Sequence, residues 1–194
     1  MSYDTEVKEI ETTPEVVKVK TETSRIVLAP NPCLNRKAVN VKKVDDIEVK
    51  KVIYFLTKEL TSNSYAVGLA ANQIGSNKNI FVFKRQVSEA ERALNLEMVQ
   101  VIINAKIIQT SKDMVPSLEG CLSYPGIERQ VTRHARITVS YRNQNGRHMM
   151  SILDGENALI WQHEIEHLNG GNFTQAKLWA IYQLEQKALK QEVK

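Results

Sequence analysis

The sequence is short of several things, and each shortage excludes a class of protein. No stretch reaches about 18 consecutive apolar residues, so no segment reads as a membrane-spanning helix. The first residues lack the basic-then-apolar pattern of a secretory signal. Residues 1–23 hold six acids (Asp4, Glu6, Glu9, Glu11, Glu15, Glu22) and three lysines, whereas an organelle transit peptide is acid-poor and arginine-rich. Cysteine is scarce: Cys33 and Cys121 fit a reducing compartment better than a disulfide scaffold, so the cytoplasm is the expected location. There is no zinc knuckle, RNA-binding aromatic motif or long basic run. The net charge of +4, which becomes +7 once the acidic segment 1–23 is set aside, therefore reads as solubility rather than as a nucleic-acid surface, and no specific DNA partner is expected.

What remains is enough for one domain: 194 residues, 42% of them apolar. Residues 1–23, rich in Glu, Thr, Lys and Val, read as a mobile arm. Arg25 to Ala29 reads as a strand stopped by Pro30-Asn31-Pro32. From Asp45, the spacing of Ile47, Val52, Ile53, Phe55, Leu56 and Leu60 predicts an amphipathic helix ending near Ser62-Asn63-Ser64. Strands are expected at Asn79 to Phe83, Val99 to Ile108, Val131 to Tyr141 and, after a turn at Asn145-Gly146, Met149 to Leu153. Ser88 to Met98 reads as a short surface helix or inserted loop. Two more helical stretches cover about Gly155 to Asn169 and Thr174 to Val193. Strands among helices without a regular β-α-β alternation suggest an α+β domain.

The residues with the most chemistry are His163-Glu164-Ile165-Glu166-His167. Residues four apart on a helix share a face, so both imidazoles can bind one metal ion, and Glu164 then sits where it can take a proton from water. A third ligand is open to several readings. Gly170 matches one extension of this metalloprotease motif, but Phe173 stands where that extension needs a histidine. Glu185 lies at about the distance used by another group, within a stretch shared with Lys187 and Lys190 that reads more easily as a solvated face. Cys121, upstream, is by itself as well read as a small buried hydrophobe.

The setting of Cys121 favours it as ligand. Glu119-Gly120-Cys121-Leu122-Ser123 resembles the central motif of the peptide deformylases, in which the Cys joins the two histidines. Gly68-Leu69-Ala70-Ala71-Asn72-Gln73-Ile74-Gly75 is similar to that family's Gly- and Ala-rich loop ending in a functional Gln. Pro30-Asn31-Pro32-Cys33-Leu34 resembles its opening turn, and Tyr124-Pro125-Gly126 with Val131 and Arg133 continues the central motif. The resemblance covers about residues 24–172, leaving 1–23 as an arm and 173–194 as a C-terminal helix. It implies small mixed or antiparallel sheets packed around the metal-binding helix. The implied activity is removal of the formyl group from the N-terminal methionine of nascent polypeptides, with Cys121, His163 and His167 as ligands and Glu164 as general base. Gln73 and the Leu122 N–H are the implied oxyanion donors, and Val67 and Gly68 the implied contacts to the peptide. Leu159 and Ile160 lie one turn before His163 and can wall an apolar pocket for the methionine side chain.

Thiolate plus two imidazoles suits Zn²⁺, Fe²⁺, Co²⁺ or Ni²⁺. The resemblance implies Fe²⁺ in the cell, with the others as replacements on purification. It also implies a terminal helix able to dock on the ribosome, where Lys187, Lys190 and Lys194 would meet RNA phosphates. The chain departs from the pattern at Ala66, where the family's motif begins with Gly, and at Glu166, where it carries Asp. Two rival readings are a protease ligated by Glu185 and a non-catalytic member that only binds peptide or ribosome.

Overall fold

A computed structural model describes residues 24–85, Glu89 and 99–171. Helix α1 (Ile47–Ser62) starts where the spacing predicts, with the Asp46 carboxylate accepting from the Glu48 N–H as its N-cap. Strands β1 (Gly68–Ala70), β2 (Ile80–Lys84), β3 (Val99–Thr110), β4 (Met114–Gly120), β5 (Glu128–His134), β6 (Arg136–Arg142) and β7 (His148–Asp154) follow, and helix α2 (Gly155–Leu168) ends the described chain. Short 3-10 turns occupy Pro32–Asn35 and Ala71–Ile74. All strand pairs are antiparallel. They form a five-stranded sheet in the order β1-β2-β3-β6-β7 and a two-stranded sheet of β4 and β5. The domain is α+β. The expected helix at 174–193 and the stretch 88–98 (Glu89 aside) lie outside the described residues.

At β1 and β2 the five-stranded sheet has a helix on each face, and β2 shows why its sequence is an unbroken apolar run. Ile80 and Val82 point toward α1 and pack with Val49, Leu56 and Leu60. Phe81 and Phe83 point the other way and pack with Trp161, Ile165 and Ala158 of α2. Trp161 is the hub of that second layer, meeting Phe81, Phe83 and Tyr141 edge to face at centroid distances of 5.0, 5.5 and 5.0 Å. Burying side chains of this size stabilises by about 1.5–3 kcal/mol each, so α2 is fixed rigidly across the sheet.

Two expectations need correction. Val131 to Tyr141 is not one strand: it breaks at Ala135, whose N–H turns to the Asp113 carbonyl, so β5 pairs with β4 while β6 joins the large sheet. Arg25 to Ala29 is in no strand of either sheet. Its Val27 N–H bonds the Gln73 carbonyl at 2.7 Å and its Ala29 N–H the Ser123 carbonyl at 2.9 Å, so the segment strings two loops together instead of joining a ladder.

Candidate active site and metal centre

The site forms where one face of α2 meets the end of β4 and the turn after β1. His163 and His167 stand one helical turn apart, with their Nε2 atoms 3.2 Å from each other. Cys121 comes directly after the last residue of β4, which aims its Sγ to 3.3 Å from the His167 Nε2. The three donor atoms all lie within 4.8 Å of one another. Bonds of about 2.0–2.1 Å to His nitrogen and 2.3 Å to thiolate give tetrahedral donor–donor edges of roughly 3.3–3.6 Å, so this cluster fits a single divalent ion.

The surrounding hydrogen bonds prepare the donors. The His163 Nδ1 sits 2.8 Å from the Glu119 carboxylate, an arrangement in which the N–H donates to Glu119 and Nε2 is left bare to ligate. Arg133 grips the same carboxylate with two bonds, Nε to Oε1 at 2.9 Å and Nη2 to Oε2 at 2.7 Å, and its remaining nitrogen reaches Glu166 at 2.8 Å. Burial pushes the Glu119 carboxyl up, but the hydrogen bonds from Arg133 and His163 outweigh it and hold the group down at about 2. His163 is drawn the opposite way to its neighbour. Burial disfavours its charge, yet bonds to Cys121 and Glu119 raise it to about 10, while burial and the His163 charge push His167 well below its ordinary value.

Glu164 is 4% exposed, and its Oε2 has no protein partner among the described residues. Burial, only partly offset by the His163 charge, lifts its carboxyl to about 7. Gly68 makes room for it: a Cβ there would occupy the space of the Glu164 Oε1. Gln73, 2% exposed, is locked by the turn it sits in, its Oε1 accepting from the Ala70 N–H at 2.8 Å. Its Nε2 then faces the Cys121 Sγ and the Ser123 Oγ, both at 3.3 Å. The Leu122 N–H donates to no acceptor among the described residues.

Comparisons with known proteins give the family. The Polypeptide deformylase profile matches residues 23–177. A peptide deformylase of Natranaerobius thermophilus is 37% identical over 145 residues, covering 74% of this chain and 85% of that protein. The chain belongs to the polypeptide deformylase family. Solved structures of family members superpose well. The peptide deformylase of Ehrlichia chaffeensis gives a TM-score of 0.72 at 31% identity, covering 87% of this chain and 98% of that one. A Plasmodium falciparum peptide deformylase in complex with an inhibitor gives 0.70 at 30%, covering 86% and 99%.

Against the deformylase pattern, both departures are accommodated. Ala66 is a buried core residue; among described non-glycine residues only Asn104 has positive φ, so Ala66 carries no left-handed strain. Glu166, though longer than Asp, uses its reach to meet Arg133, and Gly171 leaves room beside its Cγ. Cys121 is the residue set against the imidazoles, while Glu185 lies outside the described residues. Gly170 has a structural task, since it has φ of 79° and a Cβ there would meet the Asn35 carbonyl oxygen at 2.6 Å. Of the pocket candidates, Val67 is exposed, Leu159 is half-buried, and Ile160 packs in the core cluster around Trp161.

Sequence reasoning assigned no task to Glu119, Arg133 or Asn72. Asn72 donates to the Leu34 carbonyl at 3.1 Å and the His167 carbonyl at 2.7 Å, bolting the Gln73 turn to α2. One available signal was the acid two residues before the candidate ligand cysteine, a spacing that on an extended chain puts two side chains on one face.

Proposed function

We propose that this chain is a working deformylase, hydrolysing the formyl amide of N-formylmethionyl peptides to formate and a free α-amine. The observation that carries the reading is the convergence of Cys121, His163 and His167 beside a buried, unpartnered Glu164 carboxylate oxygen. In this reading the three residues hold the ion. When bound, such an ion lowers the pKa of a water molecule to about 7, supplying a nucleophile at neutral pH. Glu164 accepts the water proton at Oε2 and returns it to the departing amine; general base catalysis of this kind contributes about 10²–10⁴-fold. Gln73 Nε2 and the Leu122 N–H donate to the formyl oxygen as it gains charge, and loss of one such donor costs about 2.7–4 kcal/mol of barrier.

Val67 and Gly68 lie at the sheet edge, where an extended peptide can add as a strand beside β1. Leu159 and Ile160 are the helix residues proposed to wall the methionine pocket. The donor set suits Fe²⁺ in the cell, with Zn²⁺, Ni²⁺ or Co²⁺ as replacements. We also read residues 24–172 as the catalytic unit acting in the cytoplasm, 1–23 as an arm, and 173–194 as a helix that docks on the ribosome. Deleting 174–194 then weakens ribosome co-sedimentation and spares activity on short peptides.

The deciding experiment measures formate released from formyl-Met-Ala-Ser by protein loaded anaerobically with Fe²⁺, beside Glu164→Ala. Formate from the wild type and almost none from the variant supports the reading. Silence from folded, metal-loaded wild type replaces it with a member that only binds peptide. Cleavage of the Met–Ala bond would instead indicate a protease.

A further inference from the structure

Away from the catalytic cluster, a cleft of about 800 Å³ opens between the segment before α1, the first turns of α1 and the β6–β7 hairpin. Its walls carry Lys42, Lys43, Lys50 and Arg142 against a single acid, Asp45. Arg142 holds the cleft in shape: its Nε donates to the Gly146 carbonyl at 3.1 Å and its Nη1 to the Lys42 carbonyl at 3.4 Å, tying the hairpin to the Lys-Lys segment. The three lysines make no ion pair among the described residues, and all are exposed. The nearby acids are already engaged, Asp46 as the cap of α1 and Glu48 with Lys51 at 2.7 Å. Tyr54 also lines the cleft. The residue is 60% exposed, and its ring meets that of Phe55 edge-on at 5.3 Å.

Three unpaired ammonium groups beside an open aromatic ring match a ligand that offers phosphates and flat bases together. A lipid surface would want a flat or convex face, and an acidic peptide would leave the ring unused. We propose that this cleft binds the backbone of single-stranded RNA, with the lysines on phosphates and Tyr54 as the stacking platform. None of the residues lining this cleft belongs to the deformylase site.

The test is fluorescence anisotropy of the full chain with a labelled uridine oligonucleotide of about 12 nucleotides, between about 50 and 200 mM salt. Replacing Lys42, Lys43 and Lys50 with Ala is expected to weaken binding at least about tenfold at the lower salt. It should also flatten the slope of log K against log salt by about 2, three contacts at about 0.7 each. Tyr54→Ala is expected to weaken binding at least about fivefold and leave the slope in place. Both variants should release formate at the wild-type rate, which shows that they are folded. An unchanged slope in the triple variant overturns the proposal. So does a loss confined to a Lys187, Lys190 and Lys194 variant. Equal competition by poly-glutamate together with a neutral Tyr54→Ala overturns it in favour of an acidic protein partner.

Discussion

The two helices solve opposite problems with similar lengths of chain. Helix α1 buries one stripe, Val49, Leu56 and Leu60, and leaves its charges in water, where Glu48 and Lys51 pair while remaining 64% and 57% exposed. Helix α2 is enclosed on nearly every side. Trp161, Ile165 and Leu168 fill the core, and Gln162, Glu164 and His167 are buried as well. Polar groups on α1 lie at the surface, where Glu48 and Lys51 pair within the helix and Glu59 accepts from the Ser24 hydroxyl and the Arg25 N–H at the exposed edge. Those on α2 draw mainly on residues brought from elsewhere in the chain: Glu119 for His163, Arg133 for Glu166, and the backbone of His134 for Gln162. A buried polar face is costly where partners are missing, so α2 depends on the rest of the fold more than α1 does.

The sharpest way to break this contrast is Arg133→Ala. It removes both guanidinium bonds from the buried Glu119 carboxylate and leaves it His163, which should cost about 3–5 kcal/mol in urea unfolding, with metal affinity falling about 10–100-fold. The gap from wild type should depend on pH in a defined direction. Glu119 is held at about 2 in the fold against an ordinary 4.5, so its contribution is complete above about pH 4.5 and lost as pH falls toward 2. Next comes Gly68→Ala, which pushes a methyl group into the Glu164 carboxylate and should lower kcat by at least about 10²-fold while metal analysis stays unchanged. On α1 the effects shrink. Asp46→Ala removes the N-cap and should cost about 1 kcal/mol. Glu48→Ala severs only an exposed pair and should cost at most about 0.5 kcal/mol, the smallest change in the series. A Glu48→Ala penalty as large as that of Arg133→Ala would erase the distinction between the helices.

The same contrast explains what the sequence could and could not reveal. Helix α1 was legible because solvent on one side imposes a period, although its cap proved to be Asp46, one residue after Asp45 where the reading began. The metal helix was legible because two ligands of one ion must share a face. The division of Val131 to Tyr141 was hidden, since alternation continues through Ala135 while the pairing partner changes. Strand β4 went unread because it holds Pro116, which a two-stranded sheet tolerates at its edge. Glu119 gave no sign of its bond to His163 because the two stand 44 residues apart and meet only once β4 and α2 are in place. Local periodicity announces elements, whereas the partners of buried charges are set by tertiary structure.

The segment from Val27 to Ala29 has a mechanical consequence. Its two hydrogen bonds grasp the Gln73 turn at one end and the loop after Cys121 at the other. Three residues of chain have a limited span, so the segment works as a caliper, fixing the gap between the Gln73 turn and the loop after Cys121. Shortening the protein from its front end as far as Ser24 leaves this gauge in place; carrying the cut to Pro30 removes it, and the two loops lose their common ruler.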